Sequence, residues 1–185
     1  SDLFLFGQGS NGKSVFAEVL LGVLGNEYAI TAPANFLIAG RDKHETEIAR
    51  LDGARLVVSS EVNKDAQFDE QKTKILTGGD RLSGRGMREN FRDFVPSHTL
   101  FLMGNHKPSM AGGGTSFWRR CKLIPFRHQV AEKDRIEGLA ATLIADEGAG
   151  ILAWIVSGAA DYLRAREAGE QDKLRVPALV REASE

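Results

Sequence analysis

Gly7, Gly12, Lys13 and Ser14 stand at spacings that suit one kind of chemistry. The segment "GQGSNGKS" fits the pattern G-x-x-x-x-G-K-[ST] in full. Glycines let the backbone curl so that successive N–H groups face phosphate oxygens, with no Cβ in the way. Gly9 and Asn11 lie inside the same loop. At the loop's end Lys13 would reach the β- and γ-phosphates of ATP as a point charge, and the Ser14 hydroxyl would ligate Mg²⁺. The predicted chemistry is nucleoside-triphosphate binding. A glycine-rich turn that merely matches the pattern is the plainer alternative.

Hydrolysis needs more than a phosphate cradle: water must be placed and charge neutralised. Glu61 closes the apolar run "LVVSSE" and is a candidate general base and Mg²⁺-site residue. Ser60 occupies the place where an aspartate usually holds the Mg²⁺ shell, so metal ligation is only partly assigned. Asn105 ends "TLFLMGN", where an amide can bond both the γ-phosphate and the attacking water. In "FWRRCKLIPF" the adjacent Arg119 and Arg120 precede an apolar strand. On an extended segment they face opposite ways, so one of the two could stabilise transition-state charge across a subunit boundary. A surface acid, a turn asparagine and a solvated arginine pair are the plainer readings of these three signals.

The elements that must hold these residues are legible from periodicity. "DLFLF" reads as a buried strand before the loop, and "SVFAEVLLGVLG" as the helix after it, with apolar residues at Val15, Phe16, Val19, Leu20 and Val23. That order places phosphates on a helix N-terminus. Gly25-Asn26 predicts the end of this helix, "YAITAPANFLIAG" a short extended piece and a loop, and "DKHETEIARLDG" a short helix ending at Gly53. "ARLVVSSE", "HTLFLMGN" and "RRCKLIPF" read as further strands, and "DEQKTKILTGGD" as a helix up to Gly78-Gly79. "RLSGRGMRENFRDFVP" reads as a β-hairpin and "KPSMAGGGTS" as a flexible loop. From Glu132 the pattern turns helical, with an expected break at Gly148–Gly150 and a last short helix with Pro177 in its first turn. These elements predict an α/β domain with a mainly parallel sheet, its core at 1–130 and a helical extension of the same domain at 131–185.

Composition narrows the class. A chain of 185 residues, 42% hydrophobic and 26% charged, has room for one sizeable core. Its one cysteine, Cys121, excludes an internal disulfide and fits a reducing, cytoplasmic compartment. The four histidines show no zinc-type spacing. "ILAWIVSGAA" is half a membrane span in length, and no membrane partner is expected. The net charge is −1, yet Arg81 to Arg127 carries nine Lys or Arg against two acids. Such a basic segment in an acidic body suits either a polyanion contact or a solvated face.

The loop, Glu61, "GGDRLSGRGM", "MGNHKP" and "WRRCKLIPF", in that order, resemble the helicase domain of phage and plasmid primase–helicases. That family includes the poxvirus-type primases and belongs to helicase superfamily three. The resemblance covers nearly the whole chain and implies an AAA+-like fold, a hexameric ring and ATP sites between subunits. It assigns Lys13 and Ser14 to phosphates and Mg²⁺, Glu61 to catalysis, Asn105 to sensing, and Arg120, or else Arg119, to the neighbour's nucleotide. It also implies that the hairpin near 81–96 meets single-stranded DNA at a replication fork through Arg85, Arg88 and Arg92. Lys72 and Lys74 become secondary candidates for the interface or nucleotide site. The family carries an oligomerisation segment and, in longer members, a primase domain upstream, so a piece of a longer polypeptide is expected. Two rivals share the loop: a small-molecule kinase, with the hairpin as its lid, and a nucleotide-binding module that only switches assembly.

Overall fold

The computed structural model describes residues 2–33, 36–37, 45–59, 67–106, 109–111, 115–170, 174 and 176–184. In chain order the first half contains β1 (Asp2–Phe6), α1 (Lys13–Tyr28), β2 (Ala29–Ala32), α2 (Glu45–Ala49), β3 (Leu56–Ser59), β4 (Gln67–Asp69) and α3 (Glu70–Thr77). The second half contains β5 (Leu82–Gly84), β6 (Arg92–Phe94), β7 (Thr99–Gly104), β8 (Ser109–Ala111), α4 (Thr115–Trp118), β9 (Cys121–Pro125), α5 (Leu139–Glu167) and α6 (Ala178–Ser184).

The central sheet has five strands in the order β2-β3-β7-β1-β9, and every pairing in it is parallel. Strands buried on both faces must be apolar throughout, and "LFLF", "LVV" and "LFLM" are. Phe4, Leu5, Val57, Leu100 and Leu102 are fully buried and carry the core on both sides of the sheet. Parallel pairing also sets the ends in line: Phe6 lies opposite Gly104, and Ser59 opposite Leu102. The loops that leave β1, β3 and β7 therefore share one edge, where ligands of open α/β sheets bind. The expected fold class is the one observed.

Several local expectations need correction. Gly25 does not end α1; it kinks it, with φ 70 and ψ 169, and helical hydrogen bonding resumes to Tyr28. Gly148 to Gly150 do not break the C-terminal helix, which runs 29 residues from Leu139 to Glu167 after a short 3₁₀ turn at Glu132–Asp134. Glycine costs a helix only about 1 kcal/mol, and packing offsets it: α5 lies along α1, where a Cβ on Gly22 would overlap Ile144 and Gly148 faces Val23. The segment read as a flexible loop contains β8, which pairs in parallel with β4. Arg119 and Arg120 sit in a turn after α4, with the Arg120 N–H donating to the Phe117 carbonyl, and not on an extended segment.

Continuity gives α5 more apolar length than the sequence suggested. By length and composition it could cross a bilayer, its most apolar 18-residue stretch having a mean hydropathy of 1.6. Part of its apolar surface packs on α1, while Leu152, Trp154, Val156 and Leu163 face outward. At the other end of the chain α6 packs on the edge strand β9, and the Ser184 hydroxyl accepts a 3.0 Å hydrogen bond from the Leu123 N–H.

His98, just before β7, has both ring nitrogens buried and no hydrogen-bond partner among the described residues. Burial lowers its pKa from 6.5, and the Leu76 backbone offsets this only in part. The folded chain thus keeps His98 neutral where the unfolded chain is already taking up a proton. Its contribution to stability is whole above pH 6.5 and is lost as pH falls through that value toward the lowered one. His98→Leu should therefore flatten the fall in melting temperature between about pH 7.5 and 5.5. An unchanged pH profile in the variant would remove His98 as the cause.

Candidate nucleotide site

The phosphate loop departs from β1 at Gly7, whose φ of 152 leads the chain away from the sheet. A Cβ there would collide with the Phe126 carbonyl oxygen and with the Asn11 amide, so glycine is required. Ser10 and Gly12 also take positive φ, 59 and 85, which curls the loop and delivers it to α1. The N-cap Gly12 makes no side-chain hydrogen bond, and the first turn of α1 carries no acid. The Lys13 N–H donates to Asn11 Oδ1 at 3.4 Å, and the N–H groups after it, with the positive end of the dipole, suit an anion. The residues present fit a bound triphosphate.

Lys13 is buried, 4% exposed, and its ammonium is held by the loop itself. Nζ donates to the carbonyls of Gly7 at 2.6 Å and Gln8 at 3.3 Å, and to Asn11 Oδ1 at 3.0 Å. It also donates at 3.2 Å to Oδ1 of Asn105, a residue 92 positions away. The sheet register explains the meeting: Gly104 ends β7 beside Phe6, and the Gly7 N–H donates to the Gly104 carbonyl. Asn105 thus stands where a γ-phosphate held by Lys13 would be within reach of its amide. Ser14 is exposed in the first turn of α1, open to a metal ion bound with the phosphates.

Glu61 and Ser60 lie outside the described residues, as does the Lys72 side chain; Lys74 is exposed on α3. β3, which leads toward Glu61, ends at the same sheet edge as β1 and β7. Among the described residues no group of three or more His, Cys, Asp or Glu side chains is placed to hold a metal.

Arg119 and Arg120 are brought nowhere near this loop. Cys121 pairs with Asp2 and Pro125 with Phe6, so Arg120 enters β9 at the opposite end of β1 from Gly7. Six residues of strand separate them, roughly 20 Å. Arg120 is anchored there: its carbonyl accepts from the Asp2 N–H, and Asp2 is buried with Oδ1 accepting from the Leu100 N–H. Burial pushes the Asp2 carboxyl up, while the Leu100 N–H and the Arg120 charge pull it back. Arg119 beside it is exposed.

The strap after β9 carries residues that the motifs did not reveal. The Val130 N–H donates to the Ser10 carbonyl, Gln129 Nε2 to the Gly9 carbonyl, and an Arg135 guanidinium nitrogen to Ser10 Oγ at 2.6 Å. Asn11 completes the tie, donating from Nδ2 to the Phe126 carbonyl at 3.1 Å while its Oδ1 receives Lys13. Beside the loop an open cavity of about 670 Å³ is bounded by Gly7, Gln8, Phe126, His128 and Gln129, with Ala183 of α6 at its rim. No periodicity or motif marks this strap.

The hairpin forms as expected, with β5 and β6 antiparallel and Leu82 opposite Phe94. Its root is buried through those two residues and docks on α2. Arg85, Arg88 and Arg92 are all exposed on it, and Glu89 pairs with Arg92 at 3.1 Å.

The strand order, the parallel pairing and the loop–Asn105 junction define a P-loop α/β domain. The chain belongs to the family described as "Family of unknown function (DUF5906)", whose profile matches residues 5–120. It is 31% identical over 144 residues to the "Putative helicase L207/L206" of Acanthamoeba polyphaga mimivirus, covering 73% of this chain and 15% of that protein. It is 27% identical over 139 residues to the "Putative helicase 121R" of Invertebrate iridescent virus 3, covering 72% of this chain and again 15% of the relative. The chain thus spans less than a sixth of the curated relatives it matches. Among solved structures, the A form of the apo NrS-1 C-terminal region superposes with TM-scores of 0.58 and 0.57 in two structures. These matches have 9% and 14% identity and cover 80% of this chain and 33% of that one, a likeness of fold.

Gly7→Ala should reduce nucleotide affinity about a hundredfold or more. The loop must shift off Phe126, and two charge-assisted N–H bonds at about 1.5–3 kcal/mol each are enough for that loss. A fluorescent-nucleotide titration measures it; affinity within threefold of wild type would show that the loop does not hold the phosphates.

Proposed function

We propose that the chain is the motor domain of an ATP-dependent DNA helicase acting in phage, plasmid or viral-type replication, in which ATP is hydrolysed between subunits of a ring. One observation carries this reading: the Lys13–Asn105 site and the Arg119–Arg120 turn lie at opposite ends of the same sheet. A single copy cannot bring those arginines to its own nucleotide; a neighbour turned head to tail can. The closed form of such an assembly is a ring, and we take it to be a hexamer.

In this reading Lys13 and the loop N–H groups, with Gly9 and Gly12 keeping the approach open, bind the phosphates. The cavity beside the loop takes the nucleoside. Ser14 and Glu61 serve Mg²⁺, which supplies charge neutralisation at the β- and γ-phosphates. Glu61 takes the proton of the attacking water, Asn105 orients that water, and Arg120 or Arg119 arrives from the next subunit. Arg85, Arg88 and Arg92 contact the strand that is moved, and residues 131–185 act as a helical extension of the same domain. A primase in the same or a partner chain would supply the primers that such a fork needs. The putative-helicase names of the viral relatives support the same reading.

The test is ATP hydrolysis with and without single-stranded DNA across protein concentration, with sedimentation alongside. Turnover that rises with assembly and is stimulated by DNA is the expected result. Turnover by a stable monomer indifferent to DNA would overturn the helicase reading, and phosphate transfer to a small acceptor would identify a kinase.

A further inference from the structure

The hairpin is anchored at its root and apolar at its tip. Leu82 and Phe94 are buried, whereas Met87 is 83% exposed and Phe91 54% exposed. Leaving such side chains in water forgoes about 1.5–3 kcal/mol each, so a surface that keeps them there is shaped for something other than this fold's stability. Phe91 is also held in place. The Arg85 guanidinium carbon lies 4.8 Å from its ring centroid, a cation–π contact that covers one face. At the apex Arg88 adopts φ 65, left-handed backbone that a non-glycine residue holds only when the turn demands it. Glu89 meanwhile keeps Arg92 beside the turn.

An aromatic ring backed by a cation, in a segment where Arg81, Arg85, Arg88 and Arg92 outnumber Glu89 and Asp93, matches a flat partner attached to a polyanion. Duplex DNA hides its base faces in the stack; single-stranded DNA offers them. We propose that Phe91, clamped by Arg85, stacks on an unpaired base of single-stranded DNA, with Met87 as a second apolar contact, so that the hairpin grips bases as well as phosphates. This rests on the DNA-motor reading above and goes beyond it by making the base, and not the backbone alone, the handle. Because every base has a π-face, the grip is independent of sequence.

The experiment compares binding of the assembled protein to oligo-dT and to an abasic strand of equal length, over a salt series. Wild type should prefer oligo-dT. Phe91→Ala should weaken oligo-dT binding about five- to a hundredfold, leave abasic binding and the salt slope unchanged, and so erase the preference. Phe91→Trp should retain it. Phe91 is exposed, so the alanine variant removes no core contact. If Arg88→Ala weakens both strands equally while Phe91→Ala keeps the wild-type preference, the hairpin touches phosphates alone; the inference fails and the DNA reading stands. If neither variant changes binding to either strand, the hairpin is outside the DNA path and the inference fails, while the DNA-motor reading is decided by the turnover test above.

Discussion

Asn105→Ala should lower ATP turnover by about a hundred- to a thousandfold, the usual cost of removing one preorganised donor at a developing charge. Nucleotide affinity should change by far less, because the phosphate loop and Lys13 stay in place. The expectation follows from position. Asn105 leaves β7 beside the residue that starts the loop, and its Oδ1 already touches the ammonium that will face the γ-phosphate. The same contact gives the amide a second function before ATP binds. With Gly7, Gln8 and Asn11 it satisfies a buried charge that would otherwise destabilise the empty loop. Parallel measurements of turnover and binding check this. Turnover within threefold of wild type would exclude Asn105 from the chemistry.

Arg120→Ala should cost about a thousand- to a hundred-thousandfold in turnover if it is the residue that crosses the subunit boundary. Mixing separates this from simple damage. Subunits carrying Arg120→Ala keep an intact loop, and subunits carrying Lys13→Ala keep an intact arginine. Each population alone should be silent, and the mixture should hydrolyse ATP at boundaries where a good loop meets a good arginine. A silent mixture of properly assembled subunits would overturn action in trans. Arg119→Ala, tested in the same way, should retain most activity; the reverse result would move the role to the exposed neighbour.

Much of the fold could be read from the chain because its strands are short, apolar and bounded by punctuation that has one meaning each. "DLFLF" before a phosphate loop, "LVVS" and "TLFLMG" each became a central strand, and the hairpin closed between Leu82 and Phe94 as expected. Two of the misreadings share a cause. Gly148–Gly150 were read by local propensity, but the packing of α5 on α1 decided the outcome, whereas Gly25 does leave helical geometry and misled only in that α1 resumes after it. β8 was hidden because three residues in a glycine-rich stretch gain strand geometry only from pairing with distant β4. In the site, the motif residues were visible since phosphate chemistry dictates their spacing. The strap that ties Gln129, Val130 and Arg135 to the loop was not, because its bonds run largely through backbone carbonyls that any side chain could present.

The helix laid on β9 has a bearing on how copies of this domain can meet. A bare edge strand invites a strand from another molecule, which leads to sheet extension and to aggregation. Here a serine hydroxyl already occupies the outward-facing amide of Leu123, and α6 covers the flank. Neighbouring copies are thereby steered away from backbone zippering on that side and toward contacts between side chains. Such contacts can loosen and re-form without unravelling a sheet, which is what the proposed assembly would require of its seams as it cycled through nucleotide states.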